Sequence, residues 1–562
     1  MIDRSAIPRK VISEVCAFCF PWICLPAVVE QVPNRYPKAR NMNTIKDDLI
    51  AEIDKRVADK ILEPANAELL KKLIRQADSD NEAMSIAELG TTYKRTGLHF
   101  DKRLERMTDG ICYFKKNEAL SFYTDDGKPI HKLIIGDNYQ ALQNLLIQYK
   151  GKIDVIYIDP PYGKDSMGEF AQTNYENAIT RDNLLSMLYP RLMLAKMLLS
   201  DSGVIFCSID DRNQAYVKCL FDEVFGESNF VANLVWKKKQ GGGNDSKFVI
   251  VEHEYLLCYA KNVECTILGL DTQYKLDDNL YPFKDEKGDY GLITLDKASI
   301  QFSPSLVFEI EDKDGNKYFP RIVKGKQSCW RWGKQKVKDQ YEELVFKNGK
   351  VYTKYYRPKG ITPKSLLVDS IYGRTESGND DISAVFSDGR FKYPKPIALI
   401  KHLISIGTQN ETAIILDFFA GSGTTGHAIL DLNKEDEGDR TFILCQLNET
   451  TPTTPNGIAY DVTAKRLKRI MTGECYDGTK DFKWIKENQP YGGNLDVYDL
   501  ATVANFADTE GKTPFEVIDE TLYGQEKFQT LREKVEWVCG NFSNAQKTVE
   551  NDAEWKKRIA ED

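Results

Sequence analysis

Ile153-Asp154-Val155-Ile156-Tyr157-Ile158-Asp159-Pro160-Pro161-Tyr162 is the stretch on which the fold turns. Its first six residues are a short apolar run rich in β-branched and aromatic side chains, and two prolines close it abruptly. Such a run predicts a buried parallel strand whose last side chains reach beyond the carboxyl edge of a sheet, where doubly wound proteins bind ligands. Asp159 can accept one N–H of an amino group, and the carbonyl of Pro160, fixed by the rigid turn Pro160-Pro161, can accept the other. Two such acceptors would localise the lone pair of an exocyclic amino group on a nucleobase, a poor nucleophile while that pair is delocalised into the ring. Tyr162 would stack on a base swung out of the duplex, since a base inside the helix cannot be reached. The plainer alternative is a proline-capped strand with Asp159 as a turn residue, and the ten residues alone do not choose.

A second motif lies far downstream. Ala413-Ile414-Ile415-Leu416 leads into Asp417-Phe418-Phe419-Ala420-Gly421-Ser422-Gly423-Thr424-Thr425-Gly426, and helical sequence follows. Strand, glycine-rich turn and helix make a cradle for a nucleotide-type cofactor, because glycines let the backbone approach the ligand. Asp417, Phe419, Ala420, Gly421, Gly423 and Thr424 are its candidate contacts. Gly421 to Gly426 has the spacing of a Walker loop, but His427 stands where the lysine belongs, so a nucleoside triphosphate is not expected. The next strand, Phe442-Ile443-Leu444-Cys445-Gln446-Leu447, ends near Glu449, an acid placed to accept from ribose hydroxyls. Together these features predict a cofactor with a ribose and no phosphate requirement.

With Gly203-Val204-Ile205-Phe206-Cys207-Ser208-Ile209-Asp210-Asp211 and Tyr393-Pro394-Lys395-Pro396, the two motifs resemble those of amino-methylating DNA methyltransferases of the beta group. The chain looks like the modification subunit of a type III restriction-modification system, over roughly residues 130 to 475. The resemblance implies an α/β, doubly wound S-adenosylmethionine-dependent methyltransferase fold with permuted motif order and an inserted target-recognition domain. It implies methyl transfer to N6 of adenine in double-stranded DNA without a catalytic metal, a homodimer, and a separate restriction (helicase-nuclease) subunit. It also implies that Lys395 meets the methionine carboxylate of the cofactor, although Pro396 equally suits the opening of a helix. Under the permuted order the strand Leu133-Ile134-Ile135 lies beside the one that ends near Glu449. That would bring Asp137 to the adenine amino group of the cofactor, with a turn and helix cap as the alternative. Two other functions stay open. One is a recognition subunit with weak chemistry serving a partner nuclease, against which the intact Asp159, Tyr162, Gly421 and Gly423 speak. The other is cytosine N4 methylation, which aspartate rather than serine at position 159 disfavours by family resemblance.

The chain has 562 residues and a net charge of −8, which argues against indiscriminate coating of nucleic acid while permitting a local basic groove. No apolar run reaches the length of a membrane span and no cleavable signal is evident, so no membrane contact and a cytoplasmic location are expected. The twelve cysteines are scattered, which fits a reduced setting better than a disulfide scaffold. Cys16, Cys19 and Cys24 find no fourth ligand nearby, the nearest histidine being His99, so no metal site is expected.

Residues 321 to 360 carry twelve lysines and arginines against three acids, interleaved with Trp330, Trp332, Tyr352, Tyr355 and Tyr356. A solvated face is the usual cause of such a run. Between two halves of a catalytic core it predicts DNA recognition, with Lys334, Lys336 and Lys338 as phosphate contacts. Lys237, Lys238 and Lys239 flank the glycine-rich segment 240–246, which joins the predicted strands 233–239 and 248–259 and would close on DNA near the flipped base. The expected division is a dispensable extension 1–41, a helical region 42–130, a catalytic half 131–264, a recognition domain 265–385, a cofactor half 386–475, and a C-terminal region 476–562 for partner or dimer contacts. Helical spacing of Leu49, Ile53, Val57, Ile61, Leu69 and Leu73 predicts two helices broken at Pro64. A basic helix is expected over 464–471. A further helix with Phe528, Leu531, Val535 and Val538 on its stripe should stop at Gly540.

Overall fold

Ile153–Ile158 forms a strand, and the twofold alternation of its side chains divides them between two cores. Ile156 and Ile158 enter one face of the sheet, Val155 and Tyr157 the other. The computed structural model describes residues 42–58, 62, 64–89, 110–125, 127–162, 181–241, 248–299, 301–503 and 511–542. The extension 1–41 and residues 242–247, which include most of the glycine-rich segment, lie outside these. Two compact units divide between Gly97 and Leu98.

In the first unit α1 (Met42–Ala58), α2 (Pro64–Gln76) and α3 (Asp80–Leu89) bury Ile53, Ala67, Ile74, Ala83 and Ala87. Pro64 opens α2, where a missing N–H removes no helical hydrogen bond. Leu69, expected on the inward stripe, is 57% exposed because Leu70 and Ile74 carry it instead. The helical region expected over 42–130 is shorter, since strands begin at Ile111.

The second unit is built on one sheet of eleven strands. These are β1 (Ile111–Lys116), β2 (Phe122–Tyr123), β3 (Ile130–Ile135), β4 (Ile153–Ile158), β5 (Leu199–Ile209), β6 (Phe230–Lys237), β7 (His253–Ala260), β8 (Leu366–Leu367), β9 (Ile414–Asp417), β10 (Thr441–Gln446) and β11 (Asn494–Val503). Their order is β1-β11-β3-β10-β9-β4-β5-β7-β6-β8, with β2 paired to β11. The six strands from β11 to β5 are parallel and β7 is antiparallel to β5. Helices α4 (Asn138–Tyr149), α5 (Arg181–Leu198) and α6 (Gln214–Phe225) pack on one face. Helices α7 (Thr375–Val385), α8 (Ile397–Gly407), α9 (Thr424–Asp436) and α10 (Lys465–Thr472) pack on the other.

β3 and β10 pair from Lys132–Ile443 to Ile135–Gln446, as the permuted order predicts. β4 and β9 are neighbours at the centre, yet the chain leaves β4 through α5 toward β5 and leaves β9 through α9 toward β10, on the opposite side. Connections diverging from adjacent parallel strands open a crevice at their carboxyl ends.

Two expected boundaries move. The insertion departs after β7 and returns at β8, whose pairing with β6 closes it near residue 366 rather than 385. Within it, Phe283–Asp285, Gly288–Thr294, Lys350–Tyr356 and Leu344–Lys347 form an antiparallel sheet over Leu295, Phe308, Ile310, Trp330, Val337 and Val351. The C-terminal region supplies β11, which pairs with both β3 and β1. Without β11, β3 would present a row of unpaired backbone groups. The helix Leu531–Asn541 runs through Gly540 and buries Val535 and Val538 in the core shared with α4, so that stripe is internal packing.

Candidate active site and cofactor cradle

β4 delivers Asp159 to the crevice, and the double-proline turn brings Tyr162 back against it, Tyr162 Oη donating to Asp159 Oδ1 at 2.7 Å. Lys395 enters from the loop before α8. Its Nζ lies 2.7 Å from each Asp159 carboxylate oxygen and 3.0 Å from Tyr162 Oη. Glu254 of β7 places Oε2 3.4 Å from the same Nζ and 3.3 Å from Tyr162 Oη. Its Oε1 accepts from Lys238 Nζ at 3.1 Å. Two acids and two cations thus alternate in the chain Asp159, Lys395, Glu254, Lys238, the first three of them at the Tyr162 hydroxyl.

The electrostatics follow from that alternation. Burial by itself would lower the Lys395 pKa, but the Asp159 and Glu254 carboxylates outweigh it and hold the ammonium above the ordinary lysine value. Burial would raise Glu254, yet Lys395 and Lys238 bring it below the usual carboxylate value. Burial, with the Asp159 charge second, pushes the Tyr162 phenol well above its usual range, so it stays a donor.

These groups line a cavity of about 620 Å3 that continues to the turn after β9. There Gly421 (φ 52°) and Gly423 (φ 77°) adopt left-handed conformations that side chains resist, Gly423 as N-cap of α9. Gly421 N donates to Gln446 Oε1 at 2.7 Å, and its carbonyl accepts from Thr463 Oγ1 at 2.7 Å. Thr463 belongs to a π turn, Ala459–Ala464, of the kind that often marks functional sites. Behind the turn the fully buried Arg466 donates to Ser422 O, Ser422 Oγ and Thr424 Oγ1 at 3.3, 3.1 and 3.0 Å. Asp417 accepts from Thr425 Oγ1 at 2.6 Å and from Phe419 N at 3.0 Å, and burial pushes its carboxyl up to about 7.

The cradle therefore has an accessible backbone, polar atoms tied from behind, and a wall of Phe391, Phe419 and Ala420. That donor set suits an uncharged nucleoside. His427 is buried edge-on to Trp484 and Tyr491 and bonded to Arg466, so no cation occupies the Walker position.

The cavity gathers the Asp159–Tyr162 stretch, Lys238, Lys239, Lys395 and the Asp417–Thr424 turn. Asp137, Gly423 and Glu449 are not among its lining residues. Asp137 accepts from Tyr139 N at 2.9 Å and pairs with Arg191 at 3.1 Å; the helix-cap alternative is the arrangement seen. Lys395, expected at a cofactor carboxylate, instead caps Asp159, because an ammonium buried beside two carboxylates pairs with them. Lys237 approaches Glu252 at 3.8 Å. Lys334, Lys336 and Lys338 lie exposed on the short helix Lys334–Asp339 of the insertion and do not line the cavity.

Sequence reasoning missed Glu254, Gln446 and Arg466. A signal existed for Glu254, an acid directly before the apolar run Tyr255-Leu256-Leu257-Cys258, where a buried charge needs a partner. Tyr393, 66% exposed at the cavity rim, holds a φ of 58° that nothing in the sequence announces.

Fold and site define an α/β enzyme that brings a nucleoside-type cofactor cradle and an acceptor-rich strand end into one crevice. The chain belongs to the DNA methylase family of N6/N4 methyltransferases, whose profile matches residues 153–453. A second profile, of an uncharacterised conserved protein, matches residues 39–155. The chain is 32% identical over 403 residues to the type III restriction-modification enzyme EcoPI Mod subunit of Escherichia phage P1, across 60% of this chain and 62% of that protein. It is 29% identical over 443 residues to the StyLTI Mod subunit of Salmonella typhimurium, across 69% and 65%. It is 34% identical over 385 residues to the type II methyltransferase M.KpnI of Klebsiella pneumoniae, across 63% and 89%. The chain thus spans 62% and 65% of the length of the two Mod subunits it matches.

Proposed function

We propose that this chain transfers a methyl group from S-adenosylmethionine to N6 of adenine at specific sites in double-stranded DNA. We take it to be the modification and recognition subunit, a homodimer, of a system whose helicase-nuclease is a separate polypeptide. The observation that carries the reading is the single cavity joining Asp159 to the Gly421 turn. The relatives named as Mod subunits and as a type II methyltransferase support it.

S-adenosylmethionine supplies a sulfonium-bound methyl group electrophilic enough to need no metal. Gly421 and Gln446, with the Phe391 and Phe419 rings, would hold its nucleoside part, and Gly423 shapes the turn as the cap of α9. The remaining work of the protein is positioning. Asp159 accepts one N–H of the flipped adenine, and Tyr162 offers its ring. Lys395 donates to both Asp159 oxygens, and a shift of its Nζ toward Glu254, 3.4 Å away, would open more of that carboxylate to the N–H. Lys238 on the other oxygen of Glu254 keeps that carboxylate paired whichever acid Lys395 favours. The amino nitrogen, with one N–H so engaged, would displace the sulfonium sulfur directly, its N–C bond forming as the S–C bond breaks, with the thioether as leaving group and the surplus N6 proton passing to solvent; no protein nucleophile would take part.

Single-molecule sequencing of DNA from cells expressing the chain tests the reading. N6-methyladenine at one recurrent sequence is expected. DNA without modified bases would overturn the proposal, and N4-methylcytosine would reassign the target. Sedimentation of the purified chain checks the homodimer.

A further inference from the structure

Phe248, Val249, Ile250 and Val251 are four consecutive apolar side chains, 86, 75, 39 and 39% exposed. No other run of exposed large apolar side chains among the described residues is as long. A folded chain leaves such a run in water where binding uses it, because covering it is otherwise favourable.

Its position says what it would meet. The run leads directly into β7, and the backbone carbonyl of Glu252 accepts from Lys238 N and Lys239 N at 2.9 and 3.3 Å. The Glu252 carboxylate accepts from Gly241 N at 2.7 Å, so the end of β6 is tied to the base of the run. Three residues past Val251 stands Glu254, in contact with Lys395 and Tyr162. A fully extended chain places Val251 at most about 10 Å and Phe248 at most about 20 Å from Glu254. That is the scale of a duplex groove, roughly 12 Å wide and 8.5 Å deep. Lys239, exposed and lining the same cavity, adds a cation suited to a neighbouring phosphate.

We propose that Phe248-Val249-Ile250 is a wedge that enters the base stack of duplex DNA and fills the gap left when the target base swings into the cavity. The inference rests on the proposed methyl transfer and extends it to the step that makes the base available. Between stacked pairs the surroundings are apolar and flat, so an aromatic and two branched aliphatic side chains fit where polar ones would lose their hydration. A protein partner is the competing occupant of this surface, and the test separates the two.

The full-length chain is compared with its F248S/V249S/I250S variant, whose three positions lie outside the core. Two duplexes carry the site found by sequencing, one fully paired and one with an abasic position opposite the target adenine. The variant is expected to turn over the paired duplex about tenfold more slowly, with most of that loss recovered on the abasic duplex, where the base leaves the stack more easily. With 2-aminopurine at the target position, the wild type should brighten on binding and the variant should not. Equal losses on both duplexes overturn the wedge. No loss on either also overturns it and leaves the run to a protein partner. A wild-type chain that methylates neither duplex strikes the function itself, an outcome distinct from wild-type transfer with an indifferent variant.

Discussion

Lys395 sits between two carboxylates in the central crevice, its side chain 11% exposed, whereas Lys336 stands in solvent over the Trp332 ring, 4.8 Å from its centroid. The sheet and the insertion carry charge under different rules. Around Asp159 every ion has a partner, so moving one obliges another to respond, and the cluster behaves as a unit. In the insertion several cations of the basic run are held by acids of its first half: Arg321 by Asp296 at 2.8 Å, Lys354 by Asp285 at 2.7 Å, Arg357 by Asp278 at 2.6 Å. Lys334, Lys336 and Lys338 have no ion pair among the described residues. Their free charge is what a phosphate backbone can use, one contact at a time.

That contrast predicts large, coupled effects in the sheet and small, additive ones in the insertion. Asp159→Ala should lower methyl transfer by about a thousandfold, the scale of losing a positioned polar group in the transition state. S-adenosylmethionine affinity should survive, since the carboxylate addresses the target base. Radiolabelled methyl incorporation beside calorimetric titration checks this, and a comparable loss of cofactor affinity would contradict it. Gly421→Val should weaken the cofactor by roughly ten- to a hundredfold, because a left-handed valine costs on the order of 1–3 kcal/mol. Its Cβ also meets Phe391 Cζ at 3.4 Å. Unchanged calorimetric affinity would remove the turn from the cradle.

The coupling itself is open to a sharper test. Glu254→Gln removes the second negative charge that Lys395 pairs with and should slow kcat about tenfold, within the range of interaction energies between contacting groups. The double variant E254Q/K395M discards the competing cation together with its acceptor, so part of that loss should return. If the double variant is slower by the product of both single losses, the four charges act independently. At the small end, changing Lys334, Lys336 and Lys338 together to alanine should reduce the salt slope of DNA binding by up to about three. Site choice and cofactor affinity should stay as they were. A full slope in the folded triple variant would make the helix Lys334–Asp339 an ordinary solvated face.

The sequence alone determined the parts that obey local rules. Branched apolar residues ending in Pro160-Pro161 specify a strand and its stop, and glycines at 421 and 423 specify a backbone conformation their neighbours resist. That β3 would lie beside β10 was implied by the family resemblance in motif order rather than by any local rule, and the pairing is as that order implies. Only the tertiary structure decided which charges meet. Nothing near Lys395 in sequence points to Asp159, and nothing near Arg466 points to Ser422, because these contacts arise when distant strand ends converge at one crevice. The same convergence settled the role of β11 and of the helix Leu531–Asn541, whose apolar residues read alike for core or interface. Periodicity fixes which face of an element is apolar, but packing chooses what covers that face, through backbone edges and buried ions that each need a partner.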